Sequence, residues 1–103
     1  MKPDMGILII RSRFGDKCYI EATRDLKGTI NRNRFQLGAG SHPSQELQTE
    51  WKEHGAGCFT IEVIDTLEYD KDQSKTNYSE DLALLQMIWE EKLVKENMEF
   101  YKG

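Results

Sequence analysis

Two short runs rich in Ile, Leu and Tyr, residues 6–13 and 17–23, sit either side of Phe14-Gly15-Asp16. This arrangement constrains the fold more than any other feature of the chain. Each run is long enough for one strand, and Gly15 and Asp16 are both strong turn formers, so the segment is predicted to be a β-hairpin. Further along, Phe59, Ile61 and Val63 alternate with Thr60 and Glu62. That period of two marks a strand with one buried and one wet face.

Helical signals occupy the remainder. Over residues 79–95, Leu82, Leu85, Ile88, Trp89 and Leu93 form an apolar stripe, with Glu80 and Asp81 in the first turn and Lys92 and Lys95 near the last. Those charges suit the helix dipole. Leu47, Trp51 and His54 share a helical face that Gly55 would close. Asp25 is a candidate cap for an earlier helix carrying Leu26, Ile30 and Leu37, although Gly28, Thr29, Asn31 and Asn33 lower its helix propensity. Residues 68–78, including Asp70, Lys71, Asp72, Gln73, Ser74 and Lys75, are polar and predict an exposed loop without a core residue. Trp51 and Trp89 lie on apolar stripes and are expected to pack. The resulting order, β-β-α-α-β-α, predicts an α/β (α+β) class: a small sandwich of three helices on a mainly antiparallel three-stranded sheet.

At 103 residues the chain is expected to form a single domain, 1–103, large enough to fold without disulfides or a structural metal. Cys18 and Cys58 adjoin apolar runs, where a thiol acts as a small hydrophobe, and suggest neither a zinc site nor a secreted disulfide scaffold. No segment has the length and apolarity of a membrane span, and Met1-Lys2-Pro3-Asp4 lacks a secretory apolar region, so a cytoplasmic protein is expected. The net charge of −4 is unevenly distributed. Residues 1–43 carry eight basic and four acidic side chains, whereas residues 44–103 carry six basic and fourteen acidic ones. A basic first half could meet phosphates, with Arg11, Arg13, Arg24, Lys27, Arg32, Arg34 and His42 as candidate nucleic-acid contacts. The acid-rich second half is equally compatible with a protein-interaction or dimerisation role.

Gly6-Ile7-Leu8 and Tyr19-Ile20-Glu21 resemble the paired tripeptides of the GIY-YIG nuclease family. Asp25-Leu26-Lys27, Gly40-Ser41-His42-Pro43, Glu46-Leu47-Gln48, Trp51, His54-Gly55 and residues 59–63 follow in the family's usual order. The resemblance implies metal-assisted phosphodiester cleavage. A glutamate on the last helix would hold one divalent ion, while tyrosines, an arginine and often a histidine would orient water and phosphate. Most of those positions are substituted here. The first tyrosine falls on Leu8, the second is kept as Tyr19, and the glycine after it becomes Glu21. The arginine falls on Thr29, the histidine on Asn33 and the metal-binding glutamate on Gln86, a poorer ligand for magnesium or manganese. His42 matches a histidine of some members, as a phosphate contact or a loop residue. A shift of alignment could bring Arg32 or Arg34 to the arginine position, and Glu90, one turn beyond Gln86, could stand in for the ligand.

The expectation is a catalytically degenerate relative with no cofactor, acting as a nucleic-acid-binding or regulatory module. It resembles small bacterial members labelled LuxR-like transcription regulators. The alternatives are a weak endonuclease requiring magnesium or manganese, and a protein-interaction module. Glu21 is expected to need a cationic or hydroxyl partner, with Arg11 or Arg13 on the paired strand as the leading candidates.

Overall fold

A computed structural model describes residues 2–72 and 74–102, so Gln73 of the expected loop lies outside the described residues. The hairpin pairs β1 (Met5–Ser12) with β2 (Lys17–Thr23) in antiparallel register, Leu8 opposite Glu21 and Ile10 opposite Tyr19. β1 also pairs antiparallel with β3 (Phe59–Leu67). Three helices follow from the predicted segments: α1 (Leu26–Ala39), α2 (Gln45–His54) and α3 (Ser79–Lys95). A single 3-10 turn, Ala56–Cys58, leads into β3. The sheet has four strands rather than three, in the order β3-β1-β2-β4. The extra strand, β4 (Glu99–Phe100), runs parallel to β2 and is only two residues long. So short a segment has no periodicity to read.

Alternation along β1 and β2 divides the molecule into two layers. Leu8 and Ile10 point toward α1 and α2, where they pack with Leu26, Leu37, Leu47, Phe59 and Tyr101. Ile7, Ile9, Cys18 and Ile20 point the other way, onto Leu85, Trp89 and Leu93 of α3. Opposite Ile7 and Leu8 the β3 register slips by one residue. This bulge turns both Ile64 and Asp65 toward α3, where the Trp89 indole N–H donates to Asp65 Oδ2 at 2.9 Å.

Gly6 is required by close approach, because a Cβ there would run into the β3 backbone at Asp65 and Thr66. Gly40 closes α1 in the left-handed conformation at φ 81°, its N–H donating back to the Gln36 carbonyl. Ser44 caps α2 through its side chain, and Asp25 does the same for α1 by accepting from the Gly28 N–H.

Two expectations are corrected. The segment before α3 does contain a core residue: Tyr78 is 2% exposed and packs with Met5 and Leu82. Ile88, assigned to the buried stripe of α3, is instead 42% exposed. Its position falls about half a helical turn from the Leu93 direction. Both cysteines are free; Cys18 is fully buried, and burial pushes its thiol up to about 11. Among the described residues, no helix is long and apolar enough to cross a membrane.

Candidate functional site

Tyr19 and Glu21 are two residues apart on β2 and therefore share a face, the one covered by α1. On α1, Thr29 and Asn33 are four residues apart and both face the sheet, completing a buried stripe with Leu26 and Leu37. The loop before α2 delivers His42. These elements assemble one hydrogen-bonded network from residues 19 to 44.

Glu21 stands at its centre. The carboxylate accepts from Tyr19 Oη at 3.3 Å, from Asn33 Nδ2 at 3.3 Å and from the Arg32 guanidinium, with which it forms an ion pair. Asn33 Nδ2 also donates to the Thr29 carbonyl at 2.8 Å, and its Oδ1 meets His42 Nε2 at 2.6 Å. The Ser44 N–H donates to His42 Nδ1 at 3.0 Å, so Nδ1 must be an acceptor and Nε2 must carry the proton that reaches Asn33. Every polar atom of the Asn33 amide is thereby used. Thr29 Oγ1 in turn bonds Thr23 Oγ1 at 2.7 Å.

The electrostatics agree with this tautomer. Burial pulls the His42 imidazole below its ordinary value of 6.5, partly offset by Glu21, so the ring is neutral at pH 7. Burial and then the Glu21 carboxylate push the Tyr19 phenol up to about 12, which keeps it a donor. Tyr19 and His42 meet edge to face with ring centroids 5.1 Å apart.

Of the residues singled out from the sequence, Tyr19, Glu21, Thr29, Asn33 and His42 come together. Leu8, opposite Glu21, is fully buried among apolar neighbours and contributes no polar group. Gln86 is carried by α3, the helix packed on the opposite face of the sheet. Among the described residues, no group of three His, Cys, Asp or Glu side chains could hold a metal ion. Position 86 carries an amide and the Glu21 carboxylate is already bonded to Arg32, so neither offers the free carboxylate that the divalent ion of the resemblance would need.

The expected partner of Glu21 is also corrected. Arg11 lies opposite Cys18, hence on the α3 side of the sheet, and Arg13 lies beyond the end of β1. Arg32 fills the role instead, one turn beyond Thr29 on α1. Strand parity in the hairpin is enough to exclude Arg11, but the docking of α1 that brings in Arg32 has no local signal. Thr23, which no sequence signal marks, joins through its hydroxyl.

The other candidate cations are dispersed. Arg24 donates to the Thr76 carbonyl at 2.8 Å. Lys27 and Arg34 line an open groove of about 690 Å³ between the amino-terminal segment, α1 and β3, together with Lys2, Ile30 and Val63. His42 is 5% exposed and serves the network.

No protein-family model matches the sequence, and no curated protein matches it. Solved structures do. The catalytic domain of homing endonuclease I-TevI superposes with a TM-score of 0.71 at 24% identity, over 93% of this chain and 96% of that one. A glutamate-to-alanine mutant of the catalytic domain of intron endonuclease I-TevI gives 0.71 at 22% identity, over 96% and 92%. The chain therefore carries the fold of the GIY-YIG nuclease catalytic domain.

Proposed function

We propose that this chain is a GIY-YIG-like domain without nuclease activity, retained as a weak nucleic-acid-binding, regulatory module. The observation that carries the reading is Glu21. A carboxylate occupies the floor beside Tyr19 and engages Tyr19, Arg32 and Asn33 together, so the groups that could orient a phosphate are already committed to an internal anion. An incoming phosphodiester would meet negative charge and would have to displace Arg32. Thr29 and Gln86 supply neither the guanidinium nor the metal carboxylate that phosphoryl chemistry needs.

Nucleic-acid contact is assigned to Lys2, Lys27 and Arg34 along the groove beside α1. Asp4 and Asp25 also line the groove, so its three cations are partly opposed and the binding they support is weak. The test is a salt series of DNA-duplex binding by fluorescence anisotropy. Binding is expected to be weak and to fall steeply with salt. Lys27→Ala with Arg34→Ala should reduce the logarithmic salt slope by about two, roughly one for each phosphate no longer neutralised. Arg32→Ala should change it less. Binding that is absent at low ionic strength, or insensitive to salt, would overturn the nucleic-acid assignment.

A further inference from the structure

The outward face of α3 carries Leu84, Met87, Ile88 and Val94, which are 59%, 60%, 42% and 58% exposed. The core-facing stripe of the same helix is Leu82, Leu85, Trp89 and Leu93. An α-helix facing solvent on one side is normally polar there, so a second apolar stripe marks a surface that becomes covered. Glu80, Leu84, Met87, Glu91 and Val94 follow a spacing of four, three, four and three, the pattern of a helix-pairing seam. With Ile88 and Lys95 they lie within about 120° of the helix circumference. A shallow groove lined by Glu91, Val94, Lys95 and Phe100 continues the patch toward β4.

We propose that this face pairs with the same face of a second copy of the chain, with the two α3 helices antiparallel about a two-fold axis near Met87 and Ile88. Charge selects both occupant and register. In a parallel pair Glu80 would face Glu80 and Glu91 would face Glu91 of the other copy, an accumulation of like charge. In the antiparallel pair Met87 faces Ile88, Leu84 lies against the aliphatic stem of Glu91, and Glu80 faces Lys95 at both ends. Moving one turn one way sets Glu91 against Glu80, moving one turn the other way separates Glu80 from Lys95, and moving two turns that way sets Glu91 against another Glu91. Among the described residues, neither Glu80 nor Lys95 has an ion-pair partner within the chain. A helix of 17 residues is about 25 Å long and offers less than the roughly 800 Å² per partner of a standard interface. The dimer is therefore concentration-dependent, and self-complementary because a two-fold interface uses one patch twice.

Sedimentation equilibrium of the whole chain from low micromolar to near millimolar concentration tests this. The expected result is a monomer–dimer equilibrium. Leu84→Glu with Met87→Glu should hold the chain monomeric throughout, with unchanged circular dichroism because both side chains are exposed. Glu80→Lys alone should weaken the dimer about tenfold, and Glu80→Lys with Lys95→Glu should restore it. A monomer at every concentration, a dimer indifferent to the Leu84 and Met87 changes, or a charge reversal without rescue would each overturn the proposal.

Discussion

β1 and β2 present opposite chemistry to their two helical layers. Toward α3 they offer Ile7, Ile9, Cys18 and Ile20, a surface that needs only apolar cover and receives it from Leu85, Trp89 and Leu93. Toward α1 they offer Leu8 and Ile10 beside Tyr19 and Glu21, so the cover must both exclude water and complete hydrogen bonds. α1 meets both demands by combining Leu26 and Leu37 with Thr29 and Asn33 along one stripe. The apolar layer tolerates any well-shaped hydrophobe, whereas the polar layer requires particular donors at particular positions.

The largest effect should come from the apolar side. Leu93 is fully buried under the sheet, and Leu93→Ala is expected to lower stability by about 3–4 kcal/mol, read from urea midpoints. Asn33→Ala should cost about 2–3 kcal/mol despite removing little apolar surface, because the His42 N–H would lose its buried acceptor and the Glu21 carboxylate one of its donors. An Asn33→Ala effect below about 0.5 kcal/mol would show that the network is not holding α1 to the sheet. Arg32→Ala should cost less, under about 1 kcal/mol, because the Arg32 side chain is 53% exposed and its ion pair is screened by solvent.

The smallest contribution is pH-dependent. Folded His42 takes up a proton only below its ordinary value of 6.5, so in that window the unfolded chain binds more protons than the folded one. The His42 contribution is thus fully present above 6.5, declines as pH falls toward the lowered folded value, and then levels off. His42→Gln should flatten that part of the stability profile; an unchanged slope would assign the dependence to other groups.

What is legible in the sequence follows from the same contrast. The hairpin, β3 and α3 are readable because their buried positions are apolar and periodic. α1 gives a weak signal because half of its buried stripe is Thr29 and Asn33, residues that lower helix propensity and ordinarily face water. Ile88 is easily misplaced because α3 is apolar on two faces, so composition alone does not say which stripe faces the core. In the site, strand parity is enough to group Tyr19 with Glu21 and to separate Arg11 from both. The link to Arg32 and His42 depends on how α1 and the following loop dock, a tertiary fact that no local pattern encodes.

If the Glu21-centred network stands in place of the cleavage chemistry of this fold, the chain should leave phosphodiesters untouched. The most direct measurement incubates the purified chain with magnesium and separately with manganese, on supercoiled, linear, branched and single-stranded DNA, and follows cleavage over hours. The expected result is intact DNA on every substrate with either metal. Metal-dependent cleavage that persists through purification and is abolished by Tyr19→Phe would refute the assignment of Glu21 as a replacement for catalysis.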